Sequence, residues 1–558
     1  MSKRYILPVR VDQACLPKNS EMDLLGTWAL PKEDLVNKNK SVILDYCYDD
    51  FEKLSNDFVY IKQLYTLILP IIGNLLNDYH SIQWNGRSFK IFYGMWLHDY
   101  LPVVKERYNT IQLALKTKAS QKFILTENEL IVMDSADFKQ KITQDEYNHF
   151  LYSKLLKFID YKEYKNSHFV SKCITKETQL NLSITSLKKI VQDFILRSLQ
   201  LLLNKITIHS KAVVDRSYFS KTHFIKLISS SFPNITPIIH FPKARKSSSK
   251  QDIEARKRLN ENFSKEFSAQ TNFEKYLVQN LIFDMPLDFI ENFNTVLEES
   301  NQINLNNKNY LSSNAILSNQ VLQCSVANQM SESDKLIIAQ HGGSYGLVGW
   351  SMQEFYELDT ADKFITFGWD RDELDNISKI SHPKLLLDKD KNRSKNQNIL
   401  YITWAPSRYF NRNWSNPIAG ASIINYYKNI LAFTNSIDLS LGTRIKVRIA
   451  PSNYEYSIGI DKYLDDNINL SKGNFYDELN KASIVICDHN QTTFLESLSS
   501  NKPTIIFWNE AFTKIDKGAE LFFNELAKVG VFYNSQEQAS NFLNKIISEN
   551  TIEEWWTR

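Results

Sequence analysis

The chain has 558 residues, 43% of them apolar, and a formal charge of +3 from 66 basic and 63 acidic side chains. That length calls for about two to four domains rather than a single core, and the apolar share excludes a disordered chain. The near-balanced charge gives no reason to expect a polyanionic partner such as nucleic acid.

From the N-terminus, residues 1–10 have no long apolar core and do not read as a secretory signal. Residues 41–44 read as a strand, and the pattern from about 60 to 78 reads as a helix. Its most apolar part, 64–72, is too short to span a bilayer. Between about 100 and 230, apolar residues recur at helical spacing, which predicts a helix-rich insertion. Near 243–252 the pattern breaks into an exposed, basic, serine-rich loop. Two readings of that loop stand: a solvated surface loop, or a contact with anionic lipid headgroups or an anionic acceptor. The five cysteines (Cys15, Cys47, Cys173, Cys324 and Cys487) are scattered and include no C-x-x-C pair. That argues against a disulfide framework or a zinc site and fits a reducing cytoplasm.

From about 280, short apolar runs alternate with helical stretches: 335–339, 363–367, 398–404, 446–450, 483–487 and 504–508. Such alternation predicts parallel α/β layers. The polar run 388–398 separates two blocks and reads as an interdomain linker. The expected layout is an N-terminal lobe over 1–385, a C-terminal lobe over 398–535 and a helical tail over 536–558.

Four of the fifteen glycines (Gly342, Gly343, Gly346 and Gly349) fall within eight residues, directly after His341 at the end of a strand-like run. Glycine permits close approach to the backbone, and α/β proteins place sites at the ends of buried strands. The loop alone also fits a tight turn with a packing histidine. A second constellation lies at 482–498. It reads as a strand, then the polar turn Asp488-His489-Asn490-Gln491, then a helix entered through Thr492 and Thr493. Free helix amides beside two hydroxyls suit a diphosphate. Glu496, three residues beyond Thr493, would lie on nearly the same face to accept ribose hydroxyls. A capping box would explain Thr493 and Glu496, but not the whole polar turn.

Through these and other segments the chain resembles a family of transferases from bacterial surface-carbohydrate gene clusters, the LIC transferase family, and more broadly the GT-B glycosyltransferases. The resemblance is carried by Leu24-Leu25-Gly26-Thr27-Trp28, Phe92-Tyr93-Gly94-Met95-Trp96-Leu97 and Pro286-Leu287-Asp288-Phe289-Ile290-Glu291-Asn292-Phe293. It continues through Ala339-Gln340-His341-Gly342-Gly343-Ser344-Tyr345-Gly346, Phe367-Gly368-Trp369 and residues 488–496. Ala29 and Leu30 stand where the family pattern carries an acidic or cysteine residue, leaving Asp23 and Glu21 as the nearby carboxylates.

The resemblance implies an α/β, GT-B-like fold: two Rossmann-like lobes facing a cleft, the N-terminal one on the acceptor side and the C-terminal one binding a nucleotide sugar. It implies glycosyl transfer to a growing surface glycan or lipid-linked glycan. The expected setting is the cytoplasm, with peripheral contact at the inner membrane face. Neither a cofactor nor a metal is expected, since helix amides, hydroxyls and arginine supply positive potential directly. In this scheme His341 is either the general base or a hydrogen-bond donor to the donor substrate. Gly342, Gly343, Ser407, Arg408, Asn490, Gln491, Thr492, Thr493 and Glu496 bind the donor, Ser407 and Arg408 facing its phosphate. Gly26 and Trp28 sit on the acceptor side. Trp28, Trp96, Trp369, Trp404 and Trp414 are either core residues or stacking platforms for sugar or base rings. Asp488 shapes the turn, and His489 stands near the nucleotide. Two rival readings remain: a polyol-phosphate transferase of the teichoic-acid-polymerase type, and a non-catalytic nucleotide- or carbohydrate-binding assembly factor.

Overall fold

The computed structural model describes residues 4–11, 21–30, 42–117, 122–159, 185–215, 221–243, 248–371, 373–380, 398–404, 407–411, 422–438, 444–449, 464, 468–471, 473–509 and 513–557. The expected linker at 388–398 falls almost wholly outside them, as do Cys15, Cys173 and Trp414.

Among the described residues, three sheets form, and every strand pair in them is parallel. The first contains β1 (Arg4–Leu7), β2 (Glu21–Leu24), β3 (Val42–Ile43) and β4 (Lys122–Phe123), in the order β3-β2-β1-β4. The second contains β5 (Ala212–Val214), β6 (Ile235–Pro237), β7 (Asn309–Ser312), β8 (Leu336–Ala339), β9 (Lys363–Thr366) and β10 (Ile377–Lys379). Its order is β10-β9-β8-β7-β5-β6. The third contains β11 (Asn398–Ile402), β12 (Arg444–Arg448), β13 (Asn469–Leu470), β14 (Ile484–Cys487), β15 (Thr504–Phe507) and β16 (Phe532–Tyr533). Its order is β13-β12-β11-β14-β15-β16, the doubly wound arrangement whose crevice opens at the carboxyl ends of β11 and β14.

The six predicted runs become β8 and β9 of the second sheet and β11, β12, β14 and β15 of the third, while the pattern misses the other six strands of these sheets. Every residue of β14 and β15 is buried, as expected of parallel strands covered on both faces. Of the small first sheet, β3 falls on the predicted strand at 41–44, and β1, β2 and β4 are not anticipated. The helix-rich stretch from 100 to 230 also contributes strands to two sheets, β4 to the first and β5 to the second.

The helix predicted from about 60 to 78 runs from Phe51 to His80, with Asp50 accepting hydrogen bonds from the amides of Glu52 and Lys53 at its start. The segment 64–72 is the middle of this helix, which as a whole is long and apolar enough to cross a membrane by length and composition alone. Its inner face, including Leu54, Ile61, Leu64, Ile68 and Ile72, is buried in the core. In the exposed loop at 243–252, residues 244–247 lie outside the description. Its end is ordered by Asp252, which caps the helix Ile253–Glu266. Cys47, Cys324 and Cys487 are free and buried.

Candidate active site

β8 ends at Ala339, and the chain turns through a loop built on Gln340. That side chain donates to the carbonyl of Gly342 at 2.6 Å. It accepts from the Phe367 amide at 2.9 Å and from the Trp369 indole at 2.8 Å. Gly346 adopts φ +73° with the Trp369 ring lying against it, a conformation and a space that only glycine fits well. Its amide donates to Glu354 at 2.8 Å.

These supports hold out His341, whose side chain is 17% exposed. The helix Met352–Thr360, capped by Ser351, follows the loop. It places Gln353 and Glu357 one turn apart, facing the imidazole. The Tyr345 hydroxyl lies 3.1 Å from Nδ1 of His341 and donates to Glu357 at 2.8 Å. The Gln353 amide lies 2.9 Å from Nε2 of His341 and donates to Glu357 at 2.9 Å. Glu357 itself stands 3.6 Å from Nδ1. With Tyr345 and Gln353 both donating, the consistent tautomer carries its proton on Nδ1 and leaves Nε2 as an acceptor.

Burial pushes the Glu357 carboxyl up to about 8, against the lowering effect of hydrogen bonds from Gln353 and Tyr345. Burial also raises Glu354 to about 7, opposed by Arg371 at 2.5 Å. Glu357, Gln353 and Tyr345 escape sequence reasoning. Their only signal is the i, i+4 spacing of Gln353 and Glu357 and of His341 and Tyr345.

The C-terminal lobe meets this loop directly. β14 leads into Asp488, His489 and Asn490, and Gln491 precedes the helix Thr492–Ser499 in an extended conformation, with no side-chain cap. A Cβ on Gly343 would stand 2.5 Å from the Thr492 nitrogen and 2.6 Å from the Gln491 carbonyl carbon. Gly343 is therefore required by the opposite lobe's backbone rather than by a bound sugar. Gly342 carries no such constraint, its nearest neighbour being Tyr345 at 3.6 Å. The loop and the polar turn that the sequence places across a cleft are in contact. A second contact joins the Asp516 amide to the Leu347 carbonyl at 2.8 Å.

Within the turn, Gln491, Thr492 and Thr493 are half-buried and Asn490 is buried. His489 is buried, accepts from the Gln491 amide at 3.1 Å, and is lowered by burial to about 4. It is thus a neutral support for the turn that was expected to face the nucleotide. Asp488 ties the turn to β11: it accepts from Tyr401 at 2.8 Å, from Tyr426 at 3.0 Å and from the Trp404 amide at 3.2 Å. Burial raises it to about 7. Glu496 is buried and accepts from the Tyr476 hydroxyl at 2.9 Å. A ribose would have to share it with that hydroxyl.

Three expected site residues have other roles. Arg408 donates to the Trp28 carbonyl at 3.0 and 2.7 Å and pairs with Asp145 at 2.6 Å. Its guanidinium joins the first sheet's domain to the C-terminal lobe instead of facing a phosphate. The Ser407 hydroxyl donates to the Tyr409 carbonyl at 2.7 Å, closing its own turn. Trp28 is 1% exposed, donates to the Pro8 carbonyl at 2.9 Å and packs against Tyr46 and Tyr409. It is an interface core residue, not an acceptor contact. Gly26 makes room for the Trp28 ring. Arg107, fully buried, adds a bond to the Phe410 carbonyl at 2.8 Å. Of the other tryptophans, Trp96 stacks on Tyr100 in the core, and Trp404 is buried against Tyr426.

A protein-family description, LIC12162 family transferase, matches residues 6–558. No curated protein matches the chain. Among solved structures, the spinosyn forosaminyltransferase SpnP is similar with a TM-score of 0.29 and 10% identity, over 62% of this chain and 93% of that one. The wall teichoic acid polymerase TagF, in a structure soaked with CDPG, is similar with a TM-score of 0.25 and 12% identity. That match covers 67% of this chain and 91% of TagF.

Proposed function

The chain belongs to the LIC12162 transferase family, and from that premise we propose that it moves a sugar from a nucleotide-sugar donor to a growing surface glycan. The acceptor is a glycan or lipid-linked glycan, met in the cytoplasm at the inner membrane face. The observation that carries this reading is the seating of the His341 loop on the first peptide of the Thr492–Ser499 helix. It brings the loop that carries an oriented imidazole to a helix entrance, where backbone amides favour anionic groups.

In this reading the diphosphate of the donor lies at Asn490–Thr493, and the lobes part to admit it. His341 acts as base. The acceptor hydroxyl takes the place of the Gln353 amide on Nε2 and gives its proton to that nitrogen. Its oxygen bonds to the anomeric carbon while the carbon–oxygen bond to the diphosphate breaks, the electron pair leaving with phosphate. Helix amides and the hydroxyls of Thr492 and Thr493 stabilise the charge that develops there, with no metal required. As the imidazole becomes cationic, it draws Glu357 towards its ionised form, and the carboxylate in turn stabilises the imidazolium. Tyr345, Gln353 and Glu357 are positioning residues that fix the ring.

The test is turnover against a panel of nucleotide sugars and CDP-polyols, with nucleotide binding followed separately by thermal shift. Release of nucleotide from one or more nucleotide sugars supports the proposal. Turnover of CDP-polyols alone would replace it with polyol-phosphate transfer. Nucleotide binding without any turnover would leave a binding module.

A further inference from the structure

The helix Thr185–Ile206 carries an apolar face that no part of the described structure covers. Val191, Phe194, Ile195, Leu199, Leu202 and Ile206 are all exposed, Phe194 by 70% and Ile206 by 60%. The helix is held by its opposite side. Gln200 is buried and accepts from the amide of Ile239 at 2.8 Å, and Asn204 donates to the Gln302 carbonyl at 2.7 Å. Arg197 faces Glu299 at 3.7 Å. This anchoring beside β6, the outer strand of the second sheet, leaves the apolar side outward. A second helix, Lys221–Ser231, packs at the same strand and has no buried residue; its Ile225 is 65% exposed.

Charge selects the occupant. Lys205 lies three residues beyond Leu202, within the apolar face itself. Lys211, Lys221 and Lys226, on the segments that follow this helix, are also exposed. Among the described exposed residues of 191–232, the acidic side chain is Asp193, which lies 3.2 Å from His240. Two copies of such a face would bring like charges together, which disfavours self-association. An apolar stripe with lysines that snorkel from it is the composition of a helix lying in a lipid interface.

We propose that the outward face of Thr185–Ile206, with the lysines beside it, docks the protein on an anionic lipid surface. The apolar side chains enter the headgroup boundary while the lysines meet lipid phosphates. This site differs from the basic loop at 243–252 that the sequence offered for lipid contact. It also stands apart from the transferase reading, since vesicle binding is measured without turnover.

The experiment is flotation of the full chain with vesicles of phosphatidylcholine alone and of phosphatidylcholine containing phosphatidylglycerol. The expected result is flotation that depends on the anionic lipid. The triple substitution Ile195→Ser, Leu202→Ser, Ile206→Ser should weaken it at least about tenfold. Lys205→Glu and Lys226→Glu should each weaken it by about fivefold on anionic vesicles. Three outcomes overturn the proposal. One is absence of flotation, or flotation unchanged by the triple substitution. Another is a wild-type dimer that the triple variant turns into a monomer in sedimentation. The third is a triple variant that melts several degrees lower, which would show that the chain's own residues cover the face.

Discussion

Gly343 and Thr492, 149 positions apart and in different lobes, approach so closely that a single methyl between them would stand 2.5 Å from the Thr492 nitrogen. The obstacle is backbone, which cannot swing aside as a long side chain would. Gly343→Ala should therefore hold the lobes apart and lower transfer at least about a hundredfold, since small displacements of reacting groups are costly. Small-angle scattering should show a larger radius. Gly342→Ala, with only Tyr345 at 3.6 Å, should behave like wild type. Equal activity in both variants would remove the lobe contact from the mechanism.

His341→Ala should reduce turnover by about a thousandfold while nucleotide affinity stays within a few-fold of wild type. Glu357→Gln separates positioning from packing, because the amide oxygen can still accept from Tyr345 and Gln353. Because Glu357 is protonated below about 8, the variant takes no charge from the resting site and leaves the acid limb in place. It removes only the carboxylate, 3.6 Å away, that ionises as the imidazolium forms, so kcat should fall about tenfold. An unchanged kcat would reduce Glu357 to a structural role.

Arg408→Ala should destabilise the protein by about 3 kcal/mol, because it leaves the Asp145 carboxylate buried without its guanidinium. Nucleotide affinity should not change. A variant of normal stability that fails to bind nucleotide would restore the phosphate contact that the sequence suggested.

Stability should fall with rising pH between about 6.5 and 8. Glu354, Glu357 and Asp488 titrate near 7, 8 and 7 in the folded protein, well above unfolded carboxyls. The folded state therefore binds more protons across that window, and the stability they contribute is lost as the pH passes through their folded values. His489 and His149, lowered to about 4 by burial, act in the opposite sense but only below about 6.5. Urea midpoints across this range check the slope, and Glu357→Gln should make it shallower.

The α/β frame of the C-terminal half is legible in the sequence because its central strands are continuous apolar runs, such as Ile484–Cys487 and Thr504–Phe507. Of the first sheet only β3 is legible, from the run at 41–44; β1 and β2 are four residues each and β4 two, too short to show a period. At the site, His341 and its glycines stand out by composition. What holds the ring does not: Gln353 and Glu357 look like ordinary residues of a short helix until the loop folds back on them. For Trp28 and Arg408 the resemblance implies ligand contacts, to which their types are suited. Their real partners are each other, 380 positions apart, and no local pattern encodes such a pairing.

The clamp made by Trp28, Arg107 and Asp145 on residues 408–410 bears on engineering. The C-terminal half is not a transplantable cassette. Grafted onto another N-terminal half to exchange donor preference, it would arrive with a half-buried arginine and a backbone carbonyl stripped of their mates. A working chimera would have to carry those three residues across with it, so its junctions belong inside the first sheet's domain as well as at the apparent seam.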